Sequence, residues 1–121
     1  MHSIFNTQYT MKSKKVAEFA PDYKVLAQGA KAIGHPARVA ILKFLLEHND
    51  QTCKNIVAQL PFSQSTVSQH LAELKQAGFI EGLPFKTSMI YSVSEDNINA
   101  FKRNFEAVFG KPEDKKQLSL F

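Results

Sequence analysis

Ser63-Gln-Ser-Thr-Val-Ser-Gln-His-Leu-Ala-Glu-Leu-Lys-Gln-Ala-Gly78 is the stretch whose reading decides the fold. Val67, Leu71 and Leu74 recur at steps of four and three, the spacing of one apolar face on a helix. Ser63 stands where an N-cap is wanted, and Ala77-Gly78 supplies the stop. Just upstream, Asn49-Asp50-Gln51-Thr52 is a connector ending in a second cap. It leads to a short predicted helix over 52–60 with Ile56, Val57 and Leu60 as its apolar positions. Pro61-Phe62 then turns the chain. Two short helices joined by a tight turn, the second polar on its outward side, form a helix-turn-helix.

Working outward, the segment from about 36 to 48 is apolar nearly all round (Ala37, Val39, Ala40, Ile41, Leu42, Phe44, Leu45, Leu46), which predicts a helix at the buried centre of the domain. Before it, Val16, Phe19, Tyr23, Leu26, Ala30 and Ile33 mark another helical face, broken near Pro21 and stopped by Gly34-His35-Pro36. After Gly78 the run 79–87 and the alternating Met89, Tyr91, Val93 predict a β-hairpin with a short tip. Ser94 then caps a last helix, about 95–110, carrying Ile98, Phe101, Phe105, Val108 and Phe109 along one face. The fold expected is mainly α with a small β-hairpin, a winged helix-turn-helix over 16–110. A loose basic arm over 1–15 precedes it, and a polar tail with an apolar end follows over 111–121.

The chain of 121 residues, 44% hydrophobic and 21% charged, has the size and balance of one globular domain. No apolar run approaches the ~20 residues of a membrane span, and no signal peptide opens the chain, so the expected setting is the cytoplasm, with no membrane partner. One cysteine excludes a disulfide framework within the chain. The net charge of +4 is carried by the ends, since residues 35–110 balance seven basic against seven acidic side chains. Charge alone therefore does not establish binding to nucleic acid. An enzyme is not expected: there is no glycine-rich phosphate loop, no convergent carboxylate pair and no nucleophile beside a base.

The helix opening at Ser63 makes the stronger case for double-stranded DNA. With Val67, Leu71 and Leu74 inward, Gln64, Ser65, Thr66, Ser68 and Gln69 lie at the end that enters the major groove in this motif. Glutamine bonds adenine bidentately, and serine pairs with either base. His70 has two readings, a phosphate contact or packing at the helix junction. Lys54 and the hairpin's Lys86 are candidate backbone contacts, joined by Arg38 and the cluster from Lys12 to Lys15.

Ala32-Ile-Gly-His-Pro-Ala-Arg-Val-Ala-Ile-Leu42, together with the Ser63–Gly78 stretch, resembles the ArsR-type repressors, small homodimeric winged-helix regulators of transcription. The resemblance spans roughly residues 25–105. It implies a regulator, a repressor by type, that binds a partly palindromic operator as a homodimer. The first and last helices would form the two-fold interface through Leu26, Phe101, Phe105, Val108 and Phe109. Wings in this family carry arginines, whereas this tip offers only Lys86. Relatives sense metals through a Cys-Val-Cys-Asp-Leu segment, where this chain has Thr52-Cys53-Lys54-Asn55-Ile56. Both ligand slots are lost, and Cys53 occupies the apolar middle slot, where a buried structural thiol is expected. The last helix lacks histidine, so neither a metal site nor a cofactor is expected.

A second function class comes from the chain's end, Gln117-Leu-Ser-Leu-Phe121. It is similar to the short peptides by which bacterial replication and repair proteins dock on the sliding clamp. In that alternative Gln117, Leu118, Leu120 and Phe121 make the contact.

Overall fold

Pro21 and Pro36 each fall where a helix begins, a place where the missing N–H costs nothing and the fixed φ already suits the helix. In the computed structural model, which describes residues 13–112, they open α1 (Pro21–Ala32) and α2 (Pro36–Glu47). A 3-10 helix, Ser13–Glu18, precedes them, so the break expected near Pro21 is present. There follow β1 (Gln51–Thr52), α3 (Cys53–Val57), α4 (Gln64–Gln76), β2 (Ile80–Phe85), β3 (Ser88–Val93) and α5 (Glu95–Phe109).

Side chains satisfy the free N–H groups at four helix starts. His35 Nδ1 accepts from the Ala37 amide at 3.0 Å, and Thr52 Oγ1 from that of Asn55 at 3.1 Å. Ser63 and Ser94 accept from the amides of Thr66 and Asn97 at 3.3 and 3.4 Å. At the far end of α4 the chain reverses through Gly78 at φ +84°, a conformation that disfavours a side chain. The Gly78 carbonyl accepts from Asn97 Nδ2 at 2.6 Å, which ties this turn to the start of α5.

The sheet is antiparallel in the order β1-β3-β2, with Ile80 opposite Val93 and Phe85 opposite Ser88. Pro84 sits in β2, an edge strand, where a missing donor is tolerated. The hairpin was expected; β1 was not, because two residues are too few to show alternation. Its place is fixed from the side: Asn49 Oδ1 accepts from the Val93 amide at 3.0 Å, and Asp50 accepts from the Ser92 hydroxyl.

Ile41, Leu45, Ile56, Val67, Leu71, Leu74 and Ile80 are fully buried, so the core lies between α2, α3, α4 and the root of the hairpin. The structure corrects the expectation that α2 is buried all round. Ile41, Leu42 and Leu45 face the core, but Val39 is 53% exposed and Leu46 48% exposed. Among the described residues α2 packs mainly on α4 and β3, and Val39 and Leu46 lie off those contacts. Likewise α3 ends at Val57 rather than near 60, and residues 58–63 make the turn.

α1 packs along α5. Gly29 permits it: a Cβ there would lie 2.5 Å from the Phe101 ring. Phe101 in turn meets Phe79 edge to face, with centroids 5.6 Å apart, joining this helix pair to the core.

Candidate nucleic-acid interface

The periodicity of α4 divides it as the sequence predicts. Val67, Leu71 and Leu74 are buried, while Gln64, Ser65, Ser68 and Gln69 are exposed. Thr66 is half-buried, because its hydroxyl accepts from Ser63 Oγ at 3.1 Å while its amide donates back to the same oxygen. Ser65 Oγ lies 3.1 Å from Ser63 Oγ as well. The first turn thus presents a compact set of hydroxyls and amides at the positive end of the helix dipole, which favours an anionic partner.

Beside this face, Lys54 is exposed on α3. Cys53, expected to be a buried thiol, is only half-buried, and its Sγ lies 3.6 Å from Ser68 Oγ. Burial, and after it the nearby Cys53, push the Tyr91 phenol above its usual range. At the hairpin tip Lys86 takes φ 56°, and its Nζ stands 5.5 Å from the centre of the Phe85 ring. Both side chains are exposed, leaving this wing one cation and one aromatic at its tip.

His70 goes to the junction rather than the groove. It is 9% exposed, and its Nδ1 accepts from Arg38 Nε at 3.1 Å. Arg38, considered above for phosphate, uses Nη1 to donate to the carbonyls of Ala32 at 3.1 Å and Lys31 at 3.4 Å. Burial first, then His35 and Arg38, hold His70 below the ordinary histidine range. Sequence reasoning missed this linkage, although one signal was present: His70 lies three residues after Val67, on the buried side of α4.

The residues expected at a two-fold interface divide into two groups. Leu26 is 6% exposed, so one chain already covers it, and Phe101 is half-buried on Gly29 and Phe79. Val108 is half-buried, whereas Phe105 and Phe109 are 49% and 65% exposed and stack edge to face with each other at 5.0 Å. Val16, Phe19, Tyr23 and Val25, on the 3-10 helix, α1 and the link between them, are exposed too. Among the described residues no three His, Cys, Asp or Glu side chains gather as a metal site. None of the described helices is long and apolar enough to cross a membrane.

A helix-turn-helix with its polar helix capped and presented beside a β-hairpin is matched by the family model described as "Bacterial regulatory protein, arsR family", over residues 35–81. The chain is also 32% identical, over 67% of its length and 71% of the relative's, to an uncharacterized HTH-type transcriptional regulator, Rv0081, of Mycobacterium tuberculosis. The chain belongs to the ArsR family. As a member it is a DNA-binding transcription regulator, and solved structures share its fold. An ArsR-like transcriptional regulator from Rhodococcus sp. RHA1 superposes with a TM-score of 0.67 at 24% identity, covering 84% of this chain and 93% of that one. Mb0332 of Mycobacterium bovis, described as a homodimeric winged helix-turn-helix DNA-binding domain and a possible ArsR-family regulator, superposes at 0.59 with 25% identity, covering 73% and 78%. The clamp contact through Gln117, Leu118, Leu120 and Phe121 falls outside the described residues, and these ArsR-family relatives lend it no support.

Proposed function

We propose that this ArsR-family regulator is a cytoplasmic, non-enzymatic repressor that binds a partly palindromic operator as a homodimer. Gln64, Ser65, Ser68 and Gln69 read bases, while Thr66 seats the first turn. Lys54 and Lys86 hold phosphates. The observation that carries the reading is the division of α4, whose apolar side is buried and whose capped, polar N-terminal end is free. Phe105 and Phe109, exposed on α5 beside α1, support a two-fold contact through those helices. The homodimeric description of Mb0332 supports it as well. A dimer sets two recognition helices one DNA turn apart, which is why the operator is expected to be partly palindromic.

Selection of bound duplexes from random DNA tests this reading. A symmetric enriched site with two half-sites about one helical turn apart is expected. Equal binding of random and enriched duplexes at physiological salt overturns it.

A further inference from the structure

Among the described residues His70 is the only polar side chain that the fold buries. It stands on the recognition helix α4, directly after the exposed Ser68 and Gln69. Its Nδ1 accepts from Arg38 Nε, and the same guanidinium donates to two carbonyls in the last turn of α1. One cation on α2 therefore ties the recognition helix to the helix that packs on α5. The His35 ring lies 4.5 Å from that of His70, centre to centre, and Phe62 meets both rings edge-on. The Nδ1 of His35 is occupied as well, accepting from the Ala37 amide. A protonated imidazole only donates, so His70 loses the Arg38 bond on taking up a proton.

We propose that Arg38 and His70 seat the recognition helix on α1, and that the seating holds only while His70 is neutral, so that acid releases the specific DNA. The inference rests on the DNA-reading role given to α4 above. Arg38 acts here as a positioning residue, through α4, with its guanidinium turned to the junction.

The groups facing His70 are His35, the N-cap of α2, and Arg38 on α2, and these are the charges that act on it. Of the other elements packed on α4, α3 brings Cys53, which meets Ser68, and the exposed Lys54; β2 brings the exposed Glu81. On α4 itself Glu73 and Lys75 are exposed. Burial, His35 and Arg38 all lower the His70 pKa, so the seated state resists the proton. It is complete above about pH 6.5, the ordinary histidine value, and is lost as pH falls through the lowered one. General electrostatics runs the other way, since added positive charge strengthens phosphate contacts.

The test titrates the full chain with a selection-enriched duplex and a random duplex of equal length, from about pH 8 to about pH 5.5 at fixed ionic strength. The enriched duplex is expected to lose affinity, by about tenfold per pH unit for each His70 of the dimer that titrates, while the random duplex holds or gains. His70→Asn keeps an acceptor near the Nδ1 position but takes no proton. It is expected to bind the enriched duplex within a few fold of wild type at about pH 7.5, with no acid loss. A flat wild-type profile overturns the proposal, and so does an acid loss that persists in His70→Asn. Should that variant fail to fold, NMR titration of the wild-type rings decides. The amides of residues 64–69 are expected to shift together with His70, and amides that stay still while it titrates overturn the proposal. Absence of preference for the enriched duplex at every pH is a different result, and removes the DNA-reading role of α4 instead.

Discussion

α4 and α5 are both amphipathic, yet only α4 buries its apolar side within one chain. Val67, Leu71 and Leu74 are sealed under α2, α3 and β2, and the polar side of α4 needs nothing but water or DNA. α5 has no fully buried residue, and Phe105 and Phe109 stand out on its surface beside α1. The lesson is that, among the described residues, one helix is finished by the fold and the other is left open. Large exposed aromatics side by side on a small domain are unfavourable in water and mark a contact surface. A second copy with the same face fits, because a two-fold contact needs only one self-complementary patch.

The sharpest way to break this comparison is a charge on the unfinished side. Phe105→Asp is expected to give a folded monomer, since the core of Ile41, Leu45, Leu71 and Leu74 lies elsewhere. Specific DNA affinity is expected to fall by about 10² to 10⁴-fold, because the second half-site no longer binds as an intramolecular event. Sedimentation, circular dichroism and a binding titration check the three parts. A variant that remains a dimer with full affinity moves the interface off α5.

The finished side is expected to respond in the opposite way. Leu74→Ala removes a fully buried side chain and is expected to cost about 2 to 5 kcal/mol of folding stability, read by urea denaturation. Made in the Phe105→Asp background, it keeps its full cost if α4 is sealed within one chain. A cost that shrinks greatly in the monomer means that the α4 core depends on the partner after all.

The outward side of α4 carries a smaller effect. Gln69→Ala is expected to lose about 1 to 3 kcal/mol on the enriched duplex and almost nothing on random DNA. Gln69 is exposed, so folding stability is expected to stay within about 0.5 kcal/mol of wild type. Equal losses on both duplexes reassign Gln69 to the DNA backbone.

The contrast between the two helices also explains what could be read from the chain. Binary patterning reports which residues are apolar, and for α4 that was enough, because its neighbours are supplied by adjacent sequence. For α2 the same pattern misled: Val39 and Leu46 are as apolar as Ile41, and only the packing separates them. β1 stayed invisible because two residues carry no period, and its placement depends on side-chain bonds from Asn49 and Asp50 to β3. Leu26 and Phe101 were grouped with Phe105 by the family resemblance, while within one chain Leu26 is already buried and Phe101 is already packed closely against Gly29. The Arg38–His70 bond joins positions 32 residues apart, beyond the reach of any local pattern.

The smallest effect separates what Ser63 does for α4 from what it does for DNA. Its Oγ accepts from the Thr66 amide at 3.3 Å and donates to Thr66 Oγ1, so Ser63→Ala leaves an amide of the first turn without its cap. About 1 kcal/mol of stability is expected to go, and thermal denaturation reads it. Ser63→Asp replaces the cap with one at least as good, and a carboxylate at the positive end of the helix is favourable. Stability is therefore expected to hold. DNA affinity is not, because the new charge would stand beside the end of α4 that approaches phosphates, and repulsion there is indifferent to base sequence. A modest loss on enriched and random duplexes alike is expected, shrinking as salt is added. If Ser63→Asp binds both duplexes as tightly as wild type, the capped end of α4 does not face the DNA backbone. The polar side of the finished helix then meets DNA further along, or not at all.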